Sequence, residues 1–281
     1  MSLDLDYLCR DRVYGENEEA PCETELLIQG GRGTMFGLLF RPGGAGPHPA
    51  VLLLHGFPGN EQNLDIAQGL RRAGFIVLTF HYSGSWGSDG EFRFGNVLDD
   101  AKTALALLQD KENRELYSID PDNIFVVGHS MGGFATLHTV ADCDGVKGGI
   151  ALAPYDFGHE YRLSLESKEE YDNLHELISA GQYWLKASDA DMFDELEVHY
   201  KEYEVASKKE KIAEVPVLII GASGDTCAKE AVNAKYLYDT ISACGKGLTE
   251  FTSLPCEHCF SDRRLELTEI IAKKLVEWVR G

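Results

Sequence analysis

The chain has 281 residues, 44% hydrophobic and 26% charged, which is enough to bury a core without metals or disulfides. That excludes a disordered chain, a collagen and a disulfide-dense mini-protein. A net charge of −20 opposes binding to nucleic acid or anionic membranes, and no apolar run is long enough to span a bilayer.

Met1 to Arg12 is acidic and lacks the basic-then-apolar order of a signal peptide. Seven cysteines at scattered positions form no disulfide framework, so a reducing cytoplasm is the expected compartment. Glu23–Gly30 and Thr34–Arg41 flank the turn Gly30-Gly31-Arg32-Gly33 and predict an antiparallel hairpin at a sheet edge. Short apolar runs follow at Ala50–Leu54, Phe75–Phe80, Asn123–Val127, Gly149–Ala153 and Val217–Ile220, with Leu248–Leu254 as the last strand. Runs this short and unalternating belong to strands buried on both faces. Helical patterns cover 62–73, 97–109, 132–141, 228–243 and 262–280. Strand then helix, repeated, predicts an α/β fold with a mostly parallel sheet between helices.

Residues 156–214 break the rhythm. They hold sixteen Asp and Glu against seven Lys and Arg, and no buried-strand run. The segment is expected to be a helical lid over one sheet edge, because ligands of open α/β sheets bind at the strands' C-terminal ends. The plainer alternative is an acidic helical face that touches no ligand. The division expected is a core of 1–155 and 215–281 with a helical cap of 156–214.

The strongest motif is Gly128-His129-Ser130-Met131-Gly132-Gly133, a G-x-S-x-G sequence with a buried strand before it and a helix after it. Glycines flank the serine because the turn leaves no room for side chains. A serine hydroxyl needs a base to take its proton and a carboxylate to fix that base. Of nine histidines, His258 alone falls between the last strand and the last helix, at the same sheet edge as Ser130. Asp225, just after the Val217–Ile220 strand, is the preferred carboxylate; Asp156, after the preceding strand, competes. The chain order Ser130, Asp225, His258 suits this architecture. A developing oxyanion needs two N–H donors. Met131 supplies one. Phe57 supplies the other from His55-Gly56-Phe57-Pro58-Gly59, since Pro58 has no N–H. His55 is expected to brace that loop and His129 to pack beside the nucleophile.

Three segments, His55–Gly59, Tyr82–Gly90 and Gly128–Gly133, together resemble the α/β-hydrolase superfamily over about residues 24–280. More narrowly, they are similar to single-domain cinnamoyl or feruloyl esterases and to the catalytic domain of prolyl-oligopeptidase-like hydrolases. The resemblance implies an eight-stranded sheet with a cap inserted after the sixth strand. It implies a Ser130–His258–Asp225 triad, an oxyanion hole at Phe57 and Met131, and no metal or organic cofactor. The cap of cinnamoyl esterases binds the phenolic acyl part. That makes Tyr155, Tyr161, Tyr183 and Trp184 candidate substrate contacts, with Trp86 on a wall formed by the Tyr82–Gly90 loop. Each of these aromatics could equally be packing. About 22 residues precede the first strand, so a size-filtering oligopeptidase with a preceding propeller is not expected.

Cys256-Glu257-His258-Cys259 lacks the second cluster a zinc site needs. The expected activity is hydrolysis of small carboxylic esters, aryl or hydroxycinnamoyl esters included, through an acyl-enzyme. An aminopeptidase-like amidase is the alternative within catalysis, because an acidic insertion could hold a substrate ammonium. A binding module of the same fold is the alternative outside it. The expected partner is the small ester alone; nucleic acid and membrane are excluded, and a homodimer stays open.

Overall fold

The computed structural model describes residues 3–281. Its strands are β1 (Cys22–Gly30), β2 (Gly33–Arg41), β3 (His48–Leu54), β4 (Ile76–Phe80), β5 (Ile119–His129), β6 (Gly148–Leu152), β7 (Val217–Ala222) and β8 (Thr249–Leu254). They form one eight-stranded sheet in the order β1-β2-β4-β3-β5-β6-β7-β8. The β1–β2 hairpin pairs antiparallel, and so does β2 with β4; every other pairing is parallel. The C-terminal ends of β3 to β8 therefore share one edge. The loops beginning at His55, His81, Ser130, Ala153, Ser223 and Pro255 all open there.

The helices are α1 (Leu64–Ala73), α2 (Phe94–Gln109), α3 (Lys111–Tyr117), α4 (Met131–Asp142), α5 (Phe157–Ser164), α6 (Lys168–Gly181), α7 (Asp189–Tyr203), α8 (Lys209–Ile212), α9 (Ala234–Ser242) and α10 (Arg264–Arg280). The sheet divides two cores. Ala50, Leu52 and Leu54 of β3 pack with Val97 of α2, Phe134 of α4 and Leu237 of α9. Val51 and Leu53 pack with Leu70 of α1 and Ile271 of α10 on the other face. Successive side chains of one strand thus serve opposite layers, which is why its run is apolar without alternation.

Three departures from the expected elements have local causes. The strand β5 starts at Ile119, ahead of the expected Asn123, because 120–123 are polar and sit at the sheet's rim. The helix α3 buries none of its residues and so has no apolar stripe to announce it; Asp110 caps it by accepting from the Asn113 N–H at 3.0 Å. The helix expected over 228–243 covers only 234–242. Before it, Asn233 is fully buried and its side chain is committed to the insertion.

Helices α5 to α8 lie between β6 and β7, the place expected for the insertion. Leu174, Ile178, Met192 and Leu196 point its apolar faces into the same core as α2 and α4. Polar ties fasten it further. Glu195 accepts from the Phe94 and Gly95 N–H groups at 2.9 and 2.8 Å, capping α2 from outside. The Lys186 N–H donates to the Gly84 carbonyl at 2.7 Å, and His138 Nε2 donates to the Tyr203 carbonyl at 3.0 Å. Among the described residues, no helix is long and apolar enough to cross a membrane.

Candidate active site

Ser130 stands at the junction of β5 and α4 with φ 56° and ψ −118°, a backbone shape that non-glycine residues rarely hold. Its N–H donates to the Leu152 carbonyl at 2.8 Å, and its own carbonyl accepts from Tyr155 and Phe134. Hydrogen bonds to β6, to the loop after it and to α4 hold the strained turn in place. The glycines make it possible. A Cβ on Gly128 would strike the Gly132 carbonyl, and one on Gly132 would strike the Leu54 carbonyl. Ser130 does not cap α4 with its own side chain, so the hydroxyl is not spent on the helix.

On the neighbouring loops, His258 Nδ1 donates to Asp225 Oδ2 at 2.6 Å. The Asp225 side chain is fully buried, and its other oxygen accepts from the Cys227 and Ala228 N–H groups at 2.8 Å each. A carboxylate so held cannot swing away. It places the imidazole proton on Nδ1 and leaves the Nε2 lone pair for another proton. Among the described residues Ser130 and His258 are not yet hydrogen-bonded; such bonds commonly tighten when substrate binds.

His129 ties the loop that carries His258 to the residue before Ser130. Its Nε2 donates to the His258 carbonyl at 2.8 Å, and the two rings lie 4.8 Å apart. Burial holds the His129 pKa down at about 3, with the neighbouring His258 adding to the effect, so His129 stays neutral and keeps its donor. It was expected only as a packed neighbour. The G-x-S-x-G pattern leaves its first x free, and nothing in that pattern signals a tether across to the β8–α10 loop.

The loop after β3 packs directly on Ser130: a Cβ at Gly56 would sit 3.1 Å from Ser130 Cβ. His55 braces it as expected. Its Nδ1 donates to the Gly56 carbonyl at 2.8 Å, and its ring lies against Tyr82. Burial keeps its pKa near 4, and hence keeps it neutral. The Phe57 N–H has no backbone acceptor among the described residues. Met131 is the first residue of α4, whose N–H the helix cannot use. The Met131 N–H, next to Ser130, is thus a free donor at the positive end of a helix.

Asp156 is not part of this cluster. It caps α5 by accepting from the His159 N–H at 3.1 Å, and its other oxygen accepts from the Val205 N–H at 3.0 Å. Both oxygens are used by the backbone, at the two ends of the insertion. Burial lifts its carboxyl to about 7.

The chain belongs to the alpha/beta hydrolase family. The family model matches residues 51–237, which includes Phe57, Ser130 and Asp225. The chain is 29% identical over 161 residues to the esterase EstD of Thermotoga maritima, covering 53% of this chain but 35% of that one. In fold it is similar to the acylaminoacyl peptidase of Pyrococcus horikoshii, with a TM-score of 0.68 at 16% identity over 91% of this chain and 41% of that one. It is also similar to Est1E of Butyrivibrio proteoclasticus, with a TM-score of 0.64 at 16% identity over 92% of this chain and 99% of that one. The chain therefore spans well under half the length of EstD and of the peptidase.

In this hydrolase the five candidate substrate contacts separate. Trp86, also at positive φ, donates from Nε1 to the Pro58 carbonyl at 2.8 Å and stacks on Trp184 at 5.4 Å. That pair joins the wall loop to the insertion beside the Phe57 loop. Tyr155 is buried against the Ser130 turn. Tyr161 lines a different cavity, with Tyr171, His175 and Phe193 between α5, α6 and α7. Tyr183 is 83% exposed. A cavity of about 670 Å³ lies between α2 and α7, is lined by charges of both signs, and does not include Ser130 in its walls.

Proposed function

We propose that this chain is a serine hydrolase of small carboxylic esters. Ser130 attacks the carbonyl, His258 Nε2 takes its proton, and Asp225 stays ionised and stabilises the imidazolium. The Phe57 and Met131 N–H groups hold the tetrahedral oxyanion. His258 then gives its proton to the leaving alcohol, and water activated by the same imidazole clears the acyl-enzyme. Residues 156–214 act as the cap over this site, with Trp86 and Trp184 as the aromatic wall on which an aryl or hydroxycinnamoyl group would lie. Seven unpaired cysteines suit work in a reducing cytoplasm.

The observation that carries this reading is the 2.6 Å bond from His258 to a buried, immobilised Asp225, on loops adjoining a serine held at φ 56°. A buried carboxylate aligned on an imidazole beside a strained serine costs stability that a binding module has no reason to bear. The test is Ser130→Ala. It should fold normally, lose labelling by a fluorophosphonate probe, and turn over p-nitrophenyl esters about 10⁴–10⁶-fold more slowly. Near-normal turnover by that variant refutes the assignment.

A further inference from the structure

A cavity of about 310 Å³ opens beside the triad, between the start of the insertion and the Asp225 loop. Two of its wall residues are bonded to the catalytic framework. The Tyr155 N–H donates to the Ser130 carbonyl at 3.1 Å, and the Cys227 N–H to Asp225 Oδ1 at 2.8 Å. A group lodged in the cavity therefore rests against residues bonded to Ser130 and Asp225.

Two polar groups on nearly buried residues open onto this cavity with bonding capacity unused. Tyr155 is 3% exposed, yet its hydroxyl makes no hydrogen bond among the described residues. Burial, with Glu160, Cys227 and Glu170 around it, pushes its pKa well above the ordinary phenol value, so it stays protonated. Glu160 is 6% exposed. Asn233 Nδ2 donates to its Oε1 at 2.6 Å, and no Lys or Arg pairs with it among the described residues. Burial raises its carboxyl to about 6. Lys229 is the cavity's one cation, and it is already engaged: its Nζ lies 2.9 Å from Glu170 Oε1 and 4.0 Å from Glu169 Oε1. Glu160, Glu170 and Glu176 against Lys229 leave the walls two negative charges in excess.

This chemistry selects among ligands. An anionic group would meet the uncompensated carboxylates. A neutral aryl group would cover Glu160 and the Tyr155 hydroxyl and leave both without water or partner. An ammonium group offers several N–H donors, enough for the free Glu160 oxygen and for the Tyr155 hydroxyl oxygen at once.

We propose that this cavity is a subsite for a protonated amine, with Glu160 as its counter-ion and Tyr155 as its second acceptor. The substrates favoured are then esters or small amides that carry an ammonium group on the part entering the cavity. The inference rests on the hydrolase reading of Ser130, and its test separates the two.

Paired p-nitrophenyl and alkyl esters would be compared, each with an ammonium at the end of its acyl or its alcohol chain and each with a neutral isostere. In the wild type, kcat/KM for the better ammonium ester should exceed that of its isostere by about 10- to 100-fold, the worth of a charge-assisted pair. In Glu160→Gln that ratio should collapse toward one, while fluorophosphonate labelling of Ser130 shows the site still assembled. Calorimetry with n-butylammonium and with n-butanol reads the subsite without any turnover: the ammonium should bind measurably to the wild type and lose that binding in Glu160→Gln. Labelled, ester-cleaving protein with no ammonium preference in either pair overturns the subsite and leaves the hydrolase standing. Failure of labelling and of all ester cleavage overturns the hydrolase, and the calorimetry then decides the subsite alone: no ammonium binding overturns it.

Discussion

Asp225 and Asp156 invite comparison. Each follows a parallel strand of the same sheet by a few residues, each is buried, and each opens onto the edge where Ser130 sits. Their partners separate them. Asp225 gives one oxygen to backbone N–H groups and the other to the His258 imidazole. Asp156 gives both oxygens to backbone N–H groups, one at each end of the insertion, and its N–H donates to Asn233 Oδ1 at 2.9 Å. The first spends one oxygen on a side chain, the His258 imidazole; the second is a strut that closes a loop of some fifty residues. Position at the catalytic edge admits a carboxylate to candidacy, and its second hydrogen-bond partner decides its task.

The largest effect expected from this contrast is on turnover. Asp225→Asn should lower kcat by about 10⁴ with the fold intact, because an amide can stabilise the wrong imidazole tautomer and cannot offset its charge. Asp156→Asn should change kcat by less than about tenfold. Ester-hydrolysis kinetics on the two variants check this, and a reversed order would exchange the two roles.

A smaller effect is expected at His129, which holds the His258 loop. His129→Phe removes the side-chain donor to the His258 carbonyl. Losing a buried hydrogen bond of about 1–3 kcal/mol should appear as a roughly 5- to 100-fold fall in kcat. KM should stay near its starting value, and His129→Gln, which keeps a donor, should recover part of the loss. An equal fall in both parameters, or no rescue, would mean that the ring serves only packing.

The strut should show itself in stability. Asp156→Ala strands two buried N–H groups and should cost about 2–4 kcal/mol in a denaturant titration. Asp156 also carries a pH signature. Its folded carboxyl is lifted to about 7, above the ordinary 3.8, so the folded state binds the proton first. Its contribution is then most favourable below the ordinary value and is lost as pH rises through about 7. The wild type should gain more stability than Asp156→Asn when pH is lowered from 8 to 5, read as the shift of the urea midpoint in each.

The smallest effect concerns the insertion's outer fastening. Glu195→Ala uncaps α2 and frees the Tyr203 hydroxyl, which donates to Glu195 Oε1 at 2.7 Å. A loss of about 1–2 kcal/mol in thermal or denaturant unfolding is expected. Proteolysis confined to 156–214 would show that the tie holds the insertion against the core.

The core strands were readable because burial on both faces leaves an unmistakable apolar run. Ala50 to Leu54 and Val217 to Ile220 could hardly be anything else. The G-x-S-x-G turn was readable because its constraints are local: Gly128 and Gly132 are required by carbonyls within a few residues or one strand away. The helix α3 was not readable, since a helix with no buried face has no periodicity to betray it. The substrate contacts fared unevenly for a related reason. Tyr155 and Trp184 are aromatic like Tyr161 and Tyr183, and only the packing of α5 to α7 sends one group toward the catalytic edge and the other to a separate cavity or to solvent.

By itself the sequence determined the layered sheet, the strained serine and the chain order of the three polar residues, because hydrophobic period and local sterics act over a few residues. Tertiary structure alone decided which buried aspartate faces His258, that His129 tethers the base's loop, and that Glu160 and the Tyr155 hydroxyl meet in a cavity short of a cation. Those outcomes depend on hydrogen-bond partners some 30 to 130 positions apart, or brought together by the fold alone, and no local pattern encodes which of several equivalent polar groups will meet.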